Sequence, residues 1–257
     1  MNFQEYRPSG FGILPPIVKN LIIINALGFL AYYTLGSLYN LDLNDILGLH
    51  FFMGDSFTPF QYVSYMFMHG GIGHIFFNMF ALWMFGNALE NYWGGKRFLT
   101  YYMVTGIGAG LIHTVVIYLN LMPLLSEVDL LVNNPNSIVP STELRQNYSY
   151  FVSQGFDGND MALFKMWLLD QPVVVGASGA VFGLLLAFGM LFPNSLIYIY
   201  FAIPIKAKYF VIIYGLLELY SGIQNSAGDN VAHFAHLGGM LFGFFLIKYW
   251  RNSSSNY

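Results

Sequence analysis

Long apolar stretches alternate with short polar ones along this chain. A membrane-spanning helix needs about 20 consecutive, largely apolar residues. Four stretches free of Asp, Glu, Lys and Arg meet that length: 20–41, 56–89, 98–126 and 171–205. A fifth, 230–247, is shorter but sufficient. A sixth begins near Tyr209, runs toward Gly222 and contains Glu218, which predicts a span with a polar outer end. The pattern predicts an all-α integral membrane protein with spans at approximately 18–39, 60–89, 98–120, 173–192, 207–222 and 231–249.

The charges between these stretches test the count independently. With six spans both termini lie on one side, together with Arg7, Lys19, Lys96, Arg97, Lys206, Lys208, Lys248 and Arg251, eight of the ten basic residues. Basic loops mark the cytoplasmic face. The opposite loops hold Asp42, Asp45, Asp55, Glu127, Asp129, Glu143, Asp157, Asp160, Asp170 and Asp229. Two outer segments stand out, 42–58 and a long one at 123–172. Turn signals at Asn134-Pro135-Asn136, Gly155 and Gly158 make the second a loop, with a short helix expected at Met161–Leu169. Asn147-Tyr148-Ser149 has the form of a glycosylation acceptor, relevant only in a eukaryotic secretory setting.

Composition agrees with this class. Of 257 residues, 56% are hydrophobic and 9% charged, where a soluble domain carries roughly 25% charged residues. The mean hydropathy is +0.54, and the 19% aromatic content suits helices that cross a membrane–water interface. The absence of cysteine excludes disulfides, a thiol nucleophile and thiolate-held metals. Residues 1–16 lack the features of a signal peptide, so the first apolar stretch is expected to remain as a span.

Polar side chains at membrane depth are costly and are therefore candidates for function. They are few here: His74 and Asn78 in span 2, His113 in span 3, Ser178 at the start of span 4, Glu218 near the outer end of span 5, and His233 and His236 in span 6. Ser178 lies between Gly176 and Gly179, after Pro172, which can mark a helix start. A hydroxyl at a helix N-terminus sits beside unsatisfied N–H groups that favour a developing oxyanion. Taken alone, Gly-x-Ser-Gly is equally a small-residue packing face. His236 stands one turn above Gly239 and Gly243, a Gly-x-x-x-Gly face permitting tight helix contact. If the partner is span 4, His236 can serve Ser178 as general base; His233 reads as a polar or structural residue. His74 and Asn78, four apart, share a helix face and can direct two donors at one point, either for interhelical bonding or for an oxyanion hole.

Together and in order, His74-x-x-x-Asn78, Gly176-x-Ser178-Gly179 and Ala235-His236-Leu-x-Gly239 resemble the rhomboid family of intramembrane serine proteases. The resemblance runs from about Ile17 to Trp250 and includes the turn Leu191-Phe192-Pro193-Asn194. It implies a Ser178–His236 dyad without an aspartate, His74 and Asn78 as oxyanion donors, and an aromatic ring at Phe182 packed on the imidazole, where many relatives carry tyrosine. It also implies that span 5 is the side through which a substrate helix enters. Water must reach such a dyad, so a cavity is expected near the outer ends of spans 2, 4 and 6, capped by 221–230. The expected partners are membrane lipids and transmembrane protein substrates, with no nucleic acid, metal or cofactor. The default location is a bacterial plasma membrane with both termini cytoplasmic. The rivals are a catalytically silent client-binding relative, which would lack the serine or histidine, and a channel or transporter, which would show paired charges or repeat symmetry.

Overall fold

The computed structural model describes residues 14–134, 140–199, 202–224 and 232–254. Arg7, Asp229, the Pro135-Asn136 half of the expected turn, and 225–230 of the expected cap lie outside the described residues.

The elements are α1 (Pro16–Tyr39), α2 (Leu43–Leu47), β1 (Leu49–His50) and α3 (Gln61–Ser64), which continues into a 3-10 turn at Tyr65–Phe67. Then come α4 (Ile72–Trp93), α5 (Gly95–Asn133), α6 (Thr142–Ser153), α7 (Met161–Asp170), β2 (Val173–Val174) and α8 (Ser178–Leu191). The chain ends with a hairpin of β3 (Leu196–Ile199) and β4 (Ile203–Lys206), followed by α9 (Ala207–Gln224) and α10 (His233–Ser254).

Among the described residues, three helices are long and apolar enough to cross a membrane: α1, α4 and α5. Their outward faces are greasy; α1 exposes Ile23, Ile24, Leu27 and Leu30. A water-facing helix would not present such a stripe. The fold is an all-α integral membrane bundle.

At its centre stands α8, packed against α4, α5, α9 and α10. Its 14 residues extend about 21 Å at 1.5 Å per residue, short of a hydrocarbon core of about 30 Å. Neighbouring helices enclose it, so its length need not match the lipid; Gly179 through Leu185, Ala187 and Gly189 are all buried. Small residues allow this closeness. A Cβ on Gly239 of α10 would collide with the Gly179 carbonyl of α8, and one on Gly183 would meet the Thr105 side chain of α5.

Several helix limits differ from the sequence expectation. Helix α4 begins at Ile72, not near residue 60, because the chain turns extended at Met68 and again at Gly71 after the 3-10 turn. Helix α8 begins at Ser178, six residues after Pro172. The β-branched pair Val173-Val174 instead bridges to β1, with Leu49 opposite Val174 and His50 opposite Val173. Helix α5 runs through Pro123 to Asn133; such interruptions are tolerated where neighbours satisfy the freed carbonyl. The long outer segment is therefore largely helical. α6 was not anticipated, and α7 occupies the place expected for a short helix. Leu121, Leu125 and Val128 of α5 form a second apolar core with Leu144 and Phe151 of α6 and Phe164 and Leu168 of α7.

At the opposite end, Glu90 of α4 is buried. Its two carboxylate oxygens accept the N–H groups of Ile17 (3.0 Å) and Val18 (2.8 Å) in the first turn of α1. Those donors have no partner within their own helix, and a negative charge suits the positive end of the helix dipole.

Candidate active site

Ser178 is the first residue of α8. Two ties fix the segment leading into it: the β1–β2 bridge, and a hydrogen bond from the Gly176 N–H to the Tyr65 carbonyl (2.9 Å). Gly176 has φ +128°, a backbone conformation that side chains rarely adopt. A Cβ there would also stand 2.6 Å from His74 Nε2 and 3.8 Å from Ser178 Oγ. The glycine thus lets the imidazole of α4 approach the start of α8.

His236 is on the first turn of α10, and its Nε2 lies 2.8 Å from Ser178 Oγ, across 58 residues of sequence. Phe182, one turn into α8, stacks on the imidazole with ring centroids 4.1 Å apart and planes 7° from parallel. The close contact of Gly239 with Gly179 sets the separation of the two helices just below this pair.

The other imidazole nitrogen, Nδ1 of His236, is 2.8 Å from Oε2 of Glu218 on α9. An ionised carboxylate only accepts, so Nδ1 is the donor, and Nε2 is left with the lone pair that receives the serine O–H. The same Oε2 lies 2.7 Å from Nδ1 of His233, one turn earlier on α10. Residues three apart share a helix face, which is how both histidines of α10 reach one carboxylate. Glu218, His233 and His236 could also hold a cation, since their ligand atoms lie within 4.8 Å of one another. The two contacts on Oε2 have hydrogen-bond lengths, which imidazole N–H donors account for without one.

His74 receives a long bond at Nδ1 from the Gly70 N–H (3.4 Å), so its Nε2 carries the proton and faces Gly176. Buried His69 packs edge-on against it at 5.0 Å between centroids. Asn78 is buried and donates one amide N–H to the His74 carbonyl (3.0 Å) within α4. It is thus tied to its own helix.

Beside His233, at the start of α10, opens a cavity of about 750 Å³. Its walls are His113 and Asn120 of α5, the 171–174 segment before α8, the 221–223 end of α9, and Ala232, His233 and Phe234 at the start of α10.

Of the residues singled out from the sequence, Ser178, His236, Phe182, Gly176, Gly179, Gly239 and His74 are thus gathered around the N-terminus of α8. Glu218, a candidate by its depth in the membrane but given no role, and His233, read as a polar or structural residue, join them. A lone glutamate in an apolar stretch was the available signal; what it faces depends on how α9 and α10 pack.

No individually curated protein matches the chain significantly. The family described as Rhomboid domain does, over residues 56–125 and 146–253. These ranges take in the whole cluster around Ser178 and leave out 1–55, which holds α1, and 126–145, which holds the end of α5 and the start of α6. With that match added to the three motifs and the helix bundle that gathers them, the chain belongs to the rhomboid family.

Proposed function

We propose that this chain is an intramembrane serine endopeptidase that cleaves transmembrane segments of other proteins. The observation that carries the reading is the 2.8 Å contact between Ser178 Oγ and Nε2 of His236 at the N-terminus of α8. In this reading Ser178 Oγ attacks the substrate's peptide carbonyl carbon while His236 Nε2 takes the hydroxyl proton. The negative charge that collects on the carbonyl oxygen is met by the Ser178 backbone N–H, by His74 Nε2–H and by the second amide N–H of Asn78. His236 then gives its proton to the departing amine. Water, reaching the site through the cavity, loses a proton to His236 and hydrolyses the acyl-serine. The ring of Phe182 keeps the imidazole in plane throughout. No metal or cofactor is required by this chemistry.

Six membrane spans with both termini on the cytoplasmic side of a bacterial plasma membrane complete the proposal, supported by the eight basic residues that such a topology puts on one face. On that topology α6 and α7 stand outside.

The test is cleavage of a generic transmembrane substrate by protein reconstituted in lipid vesicles, with Ser178→Ala and His236→Ala as controls. Cleavage by the wild type alone supports the reading. Absence of both cleavage and fluorophosphonate labelling at Ser178 sinks it and favours a client-binding relative.

A further inference from the structure

We infer that Glu218 is a positioning residue for His236, giving this site an acid–base–nucleophile line of Glu218, His236 and Ser178 held in place by His233. The inference rests on the proposed peptidase reading and departs from the two-residue dyad that the family resemblance implies.

Three observations carry it. The first is placement: Glu218 is the one acidic residue of α9, among the apolar side chains of its second half, with its own side chain 8% exposed. A buried carboxylate needs several compensating bonds to be tolerated. The second is geometry. Both described bonds go to imidazoles through a single oxygen, at 2.7 and 2.8 Å, and one of those imidazoles bonds the serine through its far nitrogen. A carboxylate on Nδ1 fixes the tautomer in which Nε2 accepts, and it faces the positive charge that forms when the serine proton arrives. The third is the carrier. α9 buries only Ala207, Val211 and Glu218, while Ile212, Ile213, Leu216 and Leu217 are exposed. Glu218 is thus a main tie between a lightly packed helix and the catalytic one, and the base is oriented only while α9 is seated.

A carboxylate that merely fastens α9 to α10 would have the same contacts, so the test must separate fastening from chemistry. The rate of Ser178 labelling by a fluorophosphonate needs no known substrate and divides into an inactivation rate constant, kinact, and a binding constant, KI. Glu218→Gln keeps the shape but removes the charge, and its amide can turn an N–H toward Nδ1 and impose the wrong tautomer. Glu218→Ala removes both bonds. The expected result for both is a fall in kinact of at least about tenfold, against roughly 10⁴ in turnover for the comparable change in a soluble triad. KI and the melting temperature of the Gln variant stay at wild-type values.

Wild-type kinact in both variants, or a loss that merely follows a loss of folded protein, overturns the inference and leaves the Ser178–His236 reading standing. An unlabelled wild type that also fails to cleave overturns both. Slower wild-type labelling after EDTA means that Glu218, His233 and His236 hold a cation, which likewise overturns it.

Discussion

The contact between Gly239 and Gly179 allows the sharpest test of how the two halves of the site are held together. In Gly239→Ala the new methyl would overlap the Gly179 carbonyl oxygen and stand 2.8 Å from the carbonyl carbon, where ordinary contact begins at 3.4 Å. Both atoms are backbone, so no side chain can swing aside. The oxygen lies closer than the carbon and sets the demand, so helix α10 must retreat by about 1 Å or more, and His236 rides on it. Its Nε2 then moves from 2.8 Å toward the outer limit of a useful hydrogen bond to Ser178. A misplacement of about 1 Å costs about 10² in rate, and a loss of that order is expected here. Overpacking of this kind destabilises by about 1–3 kcal/mol, which lowers the melting temperature without unfolding the protein. The assay is fluorophosphonate labelling of reconstituted protein, with Gly73→Ala as control; a Cβ on Gly73 meets nothing within 4 Å. If Gly239→Ala labels at the wild-type rate, the helix contact does not set the Ser178–His236 distance and the reasoning fails.

Three other outcomes follow from the geometry. His74→Ala removes a donor beside Gly176 and lowers kcat by about 100-fold or more with little change in KM; a change confined to KM would assign His74 to substrate binding instead. Phe182→Ala loses a ring stack worth about 0.5–1.5 kcal/mol, so turnover falls about two- to tenfold, whereas Phe182→Tyr retains it; equal rates for Ala and Tyr would remove the ring from the mechanism. Glu90→Ala strips two charge-assisted bonds from the start of α1 and costs about 2–3 kcal/mol in thermal unfolding, with labelling of Ser178 unaffected.

How much of this was legible in the sequence depends on the range of the signal. His236 and His74 announce themselves because histidine is rare in apolar runs, and Ser178 because the surrounding glycines and the order of the three motifs are local words. The helix limits were read less well. Hydropathy sees no difference between a spanning helix and the short α3, 3-10 turn and extended stretch that precede α4, since all are apolar and uncharged. It likewise could not see that Val173 and Val174 would pair with β1 before α8 begins, because that pairing joins segments more than 120 residues apart. Glu218 was visible as an oddity, but its meaning lies in Oε2 meeting two imidazoles of another helix. No spacing within α9 encodes that meeting.

The 39 residues of α5 make a rod of about 58 Å at 1.5 Å per residue, against about 45 Å for a bilayer with its headgroups. On the proposed topology its far end, from Glu127 onward, stands clear of the lipid like a mast, with α6 and α7 lashed to it through their shared core. If the chain cleaves transmembrane segments as proposed, a substrate's extramembrane part shares the space beside that mast. A slim juxtamembrane stalk fits past it, while a folded domain hard against the bilayer collides. On that reading the length of one helix screens substrates by the bulk they carry outside the membrane.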